Sequence, residues 1–87
     1  MDLNEKVRIL VADDNREFGD TLVGYLEKEE DFEVIGIARD GNQAVEQITM
    51  MKPDIVLLDI IMPHLDGLGV LEKINESSME KKPMCII

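Results

Sequence analysis

Four short runs rich in valine and isoleucine, with enough chain between successive runs for one helix, limit what this sequence can become. They are Val7–Ala12 (Val-Arg-Ile-Leu-Val-Ala), Glu33–Ala38 (Glu-Val-Ile-Gly-Ile-Ala), Ile55–Leu58 (Ile-Val-Leu-Leu) and Met84–Ile87 (Met-Cys-Ile-Ile). β-Branched residues pack well on a pleated surface, so each run is expected to be a strand. Val7–Ala12 and Ile55–Leu58 are nearly continuous in apolar character, as central parallel strands covered on both faces would be. Glu33–Ala38 is more mixed and reads as an edge. Between the runs, Phe18, Leu22, Tyr25 and Leu26 share one helix face, as do Ala44, Val45, Ile48 and Met51, and then Leu68, Leu71 and Ile74 with Val70 beside them. Pro53 stops the second helix and Pro83 precedes the last strand. The order β-α-β-α-β-α-β implies right-handed crossovers and a parallel α/β sheet.

Composition narrows the function classes. At 87 residues the chain is one small domain, and 45% apolar with 32% charged residues is a globular balance. Nine Lys and Arg against 19 Asp and Glu give a net charge of −10. Such a chain repels a phosphate backbone and an anionic membrane surface, so neither nucleic acid nor membrane is an expected partner. No apolar run approaches the roughly 20 residues of a membrane helix. The first residues lack the basic-then-apolar form of a secretory leader, and the single Cys85 fits a reducing compartment, so a cytoplasmic location is expected.

The chemistry concentrates at three acids. Asp13 and Asp14 directly follow the first strand, and Asp59 directly follows the third. In a parallel sheet all strands end on one edge, so neighbouring first and third strands would bring the three carboxylates together where doubly wound folds bind ligands. Clustered carboxylates repel unless protonated or neutralised by a cation. An all-oxygen set suits Mg²⁺ or Ca²⁺ rather than zinc. Such an ion would align a phosphoryl group with a carboxylate nucleophile. Asp59, alone at its strand end, is the better nucleophile; Asp13 and Asp14 are the better metal-holding pair. Plainer readings stand beside these. Asp14-Asn15-Arg16-Glu17 has capping-box spacing, so Asp14 could be a helix cap. Asp59 could be a solvated loop acid.

The sequence resembles the response-regulator receiver domains. Val7-Arg8-Ile9-Leu10-Val11-Ala12-Asp13-Asp14-Asn15 looks like their opening strand and acidic pair. Asp54-Ile55-Val56-Leu57-Leu58-Asp59, followed by Met62-Pro63 and Asp66-Gly67, looks like their phosphoacceptor segment. The run Asp59–Leu68, together with Val11–Glu17 and Glu33–Gly36, is more particularly similar to the receiver of the sporulation master regulator. The resemblance covers essentially the whole chain. It implies a flavodoxin-like (CheY-like) doubly wound parallel sheet, here a shortened (βα)3β form, with residues 1–87 as the N-terminal part of a receiver and no DNA-binding domain. It implies a phosphoacceptor at Asp59, a divalent cation held by Asp13, Asp14, Asp59 and the Ile61 carbonyl, and a phosphohistidine-bearing phosphotransferase or histidine kinase as donor. It implies a signalling module rather than an enzyme, with a transcriptional output in sporulation. The family's Thr or Ser after the fourth strand, its Lys after the fifth, and its last two helices lie outside this sequence. Slower phosphorylation is therefore expected, and so is a homodimer covering the apolar fourth strand.

Two other classes compete with this reading. A metal-dependent phosphohydrolase would need a general acid, and none stands two residues after Asp59. An assembly unit that associates without signalling is the other. Among remaining residues, His64 is expected to face solvent or a partner, and Cys85 to be a buried small hydrophobe. Met62 is expected at the site mouth, with Met50, Met51 and Met84 filling core gaps. Asp66 is expected to cap the third helix ahead of Gly67 and Gly69. Glu27, Glu29, Glu30 and Asp31 read as a solvated helix end.

Overall fold

Parallel pairing is organised around β1 (Val7–Ala12), which lies between β2 (Phe32–Ala38) and β3 (Ile55–Leu58); β4 (Met84–Ile86) completes a four-stranded sheet in the order β2-β1-β3-β4. The computed structural model describes residues 6–59, 61–62, 64–78 and 82–87; Ile60 and Pro63, which the sequence reading placed in the phosphoacceptor segment, lie outside them. The connecting helices are α1 (Arg16–Leu26), α2 (Gly41–Met51) and α3 (Gly67–Glu76). All four strand assignments hold to within a residue at each end, as does the edge position of β2.

The register explains the core. Leu10 stands opposite Gly36 on one side and Val56 on the other, and Ala12 opposite Ala38 and Leu58. Alternation sends these side chains to one face. There they meet Ala44 and Ile48 of α2 and Val70 and Ile74 of α3, in a core that also takes in Met62. The ladder between β1 and β2 is interrupted between Ile9 and Leu10, where Ile35 is an extra residue on β2. Edge protection at that strand comes from Gln47, whose Nε2 donates to the Ile37 carbonyl at 3.4 Å. At the opposite end of β1, the Asp54 carboxylate accepts from the Arg8 main-chain N at 2.9 Å, and the Arg8 guanidinium donates to the Lys52 carbonyl at 3.1 Å. Lys52 takes a left-handed conformation (φ 50°) that ends α2 just before the buried Pro53.

The opposite face is only half covered. Ile9 and Val11 are buried there, and α1 packs on β1 and β2. The apolar face of α1 is correspondingly open: Phe18 is 55% and Tyr25 64% exposed, and Leu22 and Leu26 are only partly buried. Helical spacing groups residues on a face, but α1 sits to one side of the sheet, so Phe18 and Leu22 overhang an open groove beside β3 and β4. In α3 the buried pair is Val70 and Ile74, four residues apart, and Leu68 is exposed. The methionines also exchange roles. Met62 is a core residue rather than a lining of the site mouth, whereas Met50, Met51 and Met84 are exposed rather than core fillers, because they sit at a helix end and on an edge strand. Cys85 is half-buried against the core, and burial pushes its thiol pKa up, as befits a small packing residue.

This distribution gives a direct contrast in urea denaturation. Leu10→Ala should cost about 2–5 kcal/mol because it opens a cavity in a sealed layer. Phe18→Ala should stay below about 1 kcal/mol although it removes more atoms. Comparable losses for the two would show that Phe18 is a core residue after all.

Candidate functional site

Two ladder-like bonds place the acids. The Asp13 main-chain N donates to the Ala38 carbonyl and the Asp59 N to the Ala12 carbonyl, both at 2.9 Å. These bonds carry the parallel pairing one step past β2, β1 and β3, so Asp13, Asp14 and Asp59 emerge at the same edge of the sheet. Each offers a carboxylate oxygen, and the three oxygens lie within 4.8 Å of one another. Asp13 is 8% exposed, Asp59 partly exposed and Asp14 exposed, so the cluster runs from a buried floor to an open rim.

Local bonding decides which carboxylates are available. The N-cap of α1 is Asn15, not Asp14: its Oδ1 accepts from the Phe18 N at 3.0 Å. The capping reading of Asp14 is thereby corrected: Asp and Asn cap equally well, and the turn puts Asn15 in the capping position. Asp13 Oδ1 accepts from the Asn15 N at 2.8 Å, which fixes the turn from β1 into α1. Asp59 is likewise no simple solvated acid, since its Oδ1 accepts from the Ile61 N at 3.2 Å. Among the described residues, no Lys or Arg forms an ion pair with any of the three acids. Three uncompensated oxygens in one corner, with solvent at the rim, match the donor set and water access of a hard divalent cation.

The other sequence expectations sort as follows. His64 is exposed and adopts a left-handed backbone (φ 69°), outside the acidic cluster. Ile61 has its side chain exposed while its main chain stands beside Asp59. Asp66 caps α3 through the Gly69 N at 2.8 Å. The acidic stretch Glu27, Glu29, Glu30 and Asp31 is exposed at the end of α1. Arg39 escaped the sequence reading. It follows β2, bonds Asp20 of α1 at 3.3 Å, and keeps a buried Nη1 against Gly19, where a Cβ would stand 3.1 Å away. A cation just after an apolar strand was the available signal for a tie across to the neighbouring helix.

Beside the acids lies an apolar groove of about 630 Å³, walled by Phe18, Leu22, Leu57, Ile61 and Ile86 among others and reaching Asp13 and Asp59. It gives the cluster one low-polarity wall.

The family model for the response regulator receiver domain matches residues 9–87. The signal receiver domain of the putative response regulator NarL from Mycobacterium tuberculosis is 34% identical with a TM-score of 0.85, the match covering 93% of this chain and 65% of that one. The response regulator domain of Thermotoga maritima CheB is 35% identical with a TM-score of 0.82, covering 85% of this chain and 55% of that one. The CheX-CheY-BeF3-Mg+2 complex from Borrelia burgdorferi gives 34% identity and a TM-score of 0.72, covering 83% and 55%. The chain thus spans less than two thirds of the length of each of these three structures.

Repulsion among the acids is measurable without any ligand. Like charges 4–5 Å apart cost about 1 kcal/mol per pair in water. Asp14→Asn should therefore raise the denaturation midpoint at low salt with no divalent cation present. The gain should shrink as salt screens the cluster. A drop in stability at low salt would mean that Asp14 makes a favourable interaction instead.

Proposed function

The chain belongs to the response-regulator receiver family, a two-component signalling module, and on that premise we propose that Asp59 is its phosphoacceptor and that Asp13, Asp14, Asp59 and the Ile61 carbonyl hold a divalent cation, Mg²⁺ or Ca²⁺. The observation that carries this reading is the convergence of three carboxylate oxygens within 4.8 Å, with no described cation paired to them. When bound, the ion supplies positive charge against the incoming phosphoryl oxygens. The chain's own groups do the rest. Asp13, fixed by the Asn15 N, anchors the floor. Asp14, released from capping duty, faces the rim. Asp59 presents one carboxylate oxygen for attack while Oδ1 is held by the Ile61 N.

The donor is a phosphohistidine on a phosphotransferase or histidine kinase. An Asp59 oxygen forms the new O–P bond, the P–N bond breaks, and the imidazole nitrogen keeps the electron pair and takes a proton from solvent. This is group transfer onto the protein itself, not turnover of a substrate. The finer reading, a transcriptional output in sporulation, rests mainly on the run Asp59–Leu68, and a cytoplasmic location on the single Cys85 and the first residues.

A second reading concerns assembly. Met84, Ile86 and Ile87 are exposed along β4, and the groove beside them is apolar. An unprotected apolar edge favours pairing with another copy. For this chain we propose a homodimer through β4 that tightens with salt, because salt screens the net charge of −10. Light scattering at micromolar concentration should give about twice the 9.8 kDa chain mass. A monodisperse 9.8 kDa species would rule the dimer out.

Phosphorylation is tested by incubation with Mg²⁺ and acetyl phosphate, and separately with a phosphorylated sporulation-relay phosphotransferase, followed by intact mass. One phosphoryl group should add in the presence of Mg²⁺, and Asp59→Asn should abolish it. Label that persists in Asp59→Asn would contradict the assignment, and transfer no faster from the relay protein than from acetyl phosphate would contradict the sporulation reading.

A further inference from the structure

The stretch from Asp59 to Asp66 joins the acidic site to α3, and one of its residues occupies an unusual seat. Leu65 lies between two glycines on different helices. A methyl group at Gly41, the first residue of α2, would overlap the Leu65 carbonyl oxygen and stand 2.6 Å from Leu65 Cβ. A methyl group at Gly69, in the first turn of α3, would overlap Leu65 Cδ1 and stand 3.0 Å from Cγ. Neither glycine has a positive φ, so space and not backbone freedom requires them. The side chain also packs against the core.

Both flanks of Leu65 are committed. His64 before it holds a left-handed φ of 69°, which a residue with a Cβ adopts only when its surroundings impose it. Asp66 after it caps α3 through the Gly69 N at 2.8 Å. At the far end of the same stretch, the Ile61 N bonds Asp59 Oδ1 at 3.2 Å. Of the described residues in this stretch, Ile61 is thus held at the Asp59 carboxylate, and Leu65 at the two-glycine seat.

We propose that Leu65 is a positioning residue for the acidic site: seated between Gly41 and Gly69, it fixes the loop so that the Ile61 main chain stays bonded to the Asp59 carboxylate. The inference rests on the divalent-cation reading above and names what that reading lacks, the part that sets the fourth oxygen donor. Leu65 touches neither carboxylate nor ion. It acts through the backbone, as groups that orient ligands from behind do. The seat joins α2, α3 and the site, so a shift of the loop would be felt by both helices.

The test uses the full chain and reads two quantities: the urea midpoint without divalent cations, and the Mg²⁺ affinity of the folded protein by titration calorimetry. Gly69→Ala places a methyl in the space of Leu65 Cδ1 and should weaken Mg²⁺ binding about tenfold, in the range seen when ligand-orienting groups are lost. Leu65→Ala should weaken it too. The double variant Leu65→Ala/Gly69→Ala refills the vacated space with the new methyl and should recover most of the affinity, a coupling that a merely structural role would not give. Ile9→Ala, on the opposite face of the sheet, should lower the urea midpoint yet bind Mg²⁺ as the unaltered chain does. Asp14→Asn separates the two levels. If it loses Mg²⁺ binding while Gly69→Ala and Leu65→Ala retain it, the positioning role is wrong and the metal site stands. If Asp14→Asn binds Mg²⁺ as well as the unaltered chain, the metal reading fails, and Leu65 with it. An equal loss in Ile9→Ala would also overturn the proposal. Should Gly69→Ala fail to fold, Leu65→Ala against the double variant decides the same question.

Discussion

The parallel register of β1 against β3, with Ala12 opposite Leu58, determines where the clustered carboxylates end up. One residue beyond that pair, the Asp59 main chain still bonds Ala12, and Asp13 still bonds Ala38 across β2. Three carboxylates are thereby forced into one corner that electrostatics alone would disperse. At 4.8 Å each pair costs about 1 kcal/mol in water and more where the surroundings are less polar. The sealed layer of Leu10, Val56, Ile48, Val70 and Ile74 outweighs that repulsion. A site held together against its own charge is prepared for a cation, and such local conflicts within an otherwise consistent fold are where function is expected.

The two faces of the sheet behave differently, and the difference reaches the site. Toward α2 and α3 the packing is closed, with glycines at 41 and 69 admitting Leu65. Toward α1 the helix covers β1 and β2, leaving β3 and β4 beside an open groove that borders Asp13 and Asp59. The two sheet edges also differ. Gln47 bonds the outer strand β2, whereas β4 presents Met84 and Ile86 to solvent. The closed side of the molecule seats Leu65, and the open side offers apolar surface next to Asp13 and Asp59.

Much of this was legible in the sequence, for definite reasons. Val7–Ala12 and Ile55–Leu58 are β-branched or apolar at nearly every position, and acids directly after such strands can go to only one edge of a parallel sheet. What escaped depended on which surfaces meet. The spacing of Phe18, Leu22 and Tyr25 describes a face of α1 but not how far the helix sits from β3. Met50 and Met62 have the same chemistry, yet one is 73% exposed and the other buried, and only their place at a helix end or under the core separates them. Asp14 and Asn15 are equivalent caps until the backbone turns. Gly41 is remote in sequence from Leu65 and Gly69, so the shared seat exists only once the start of α2 packs beside that of α3.

The central claim is that charge crowding at the end of β1 and β3 makes this corner, and no other acidic stretch, the cation site. The exposed stretch Glu27, Glu29, Glu30 and Asp31 is the natural competitor, with more carboxylates and less burial. Substoichiometric Mn²⁺ added to the ¹⁵N-labelled chain would report the location directly, because the ion broadens amide signals nearest to it. Early loss of the signals of Asp13, Asp14, Asn15, Asp59 and Ile61, with Glu27 to Asp31 unaffected, is the expected result. Broadening that begins at Glu27 to Asp31, or spreads evenly over all exposed acids, would contradict it.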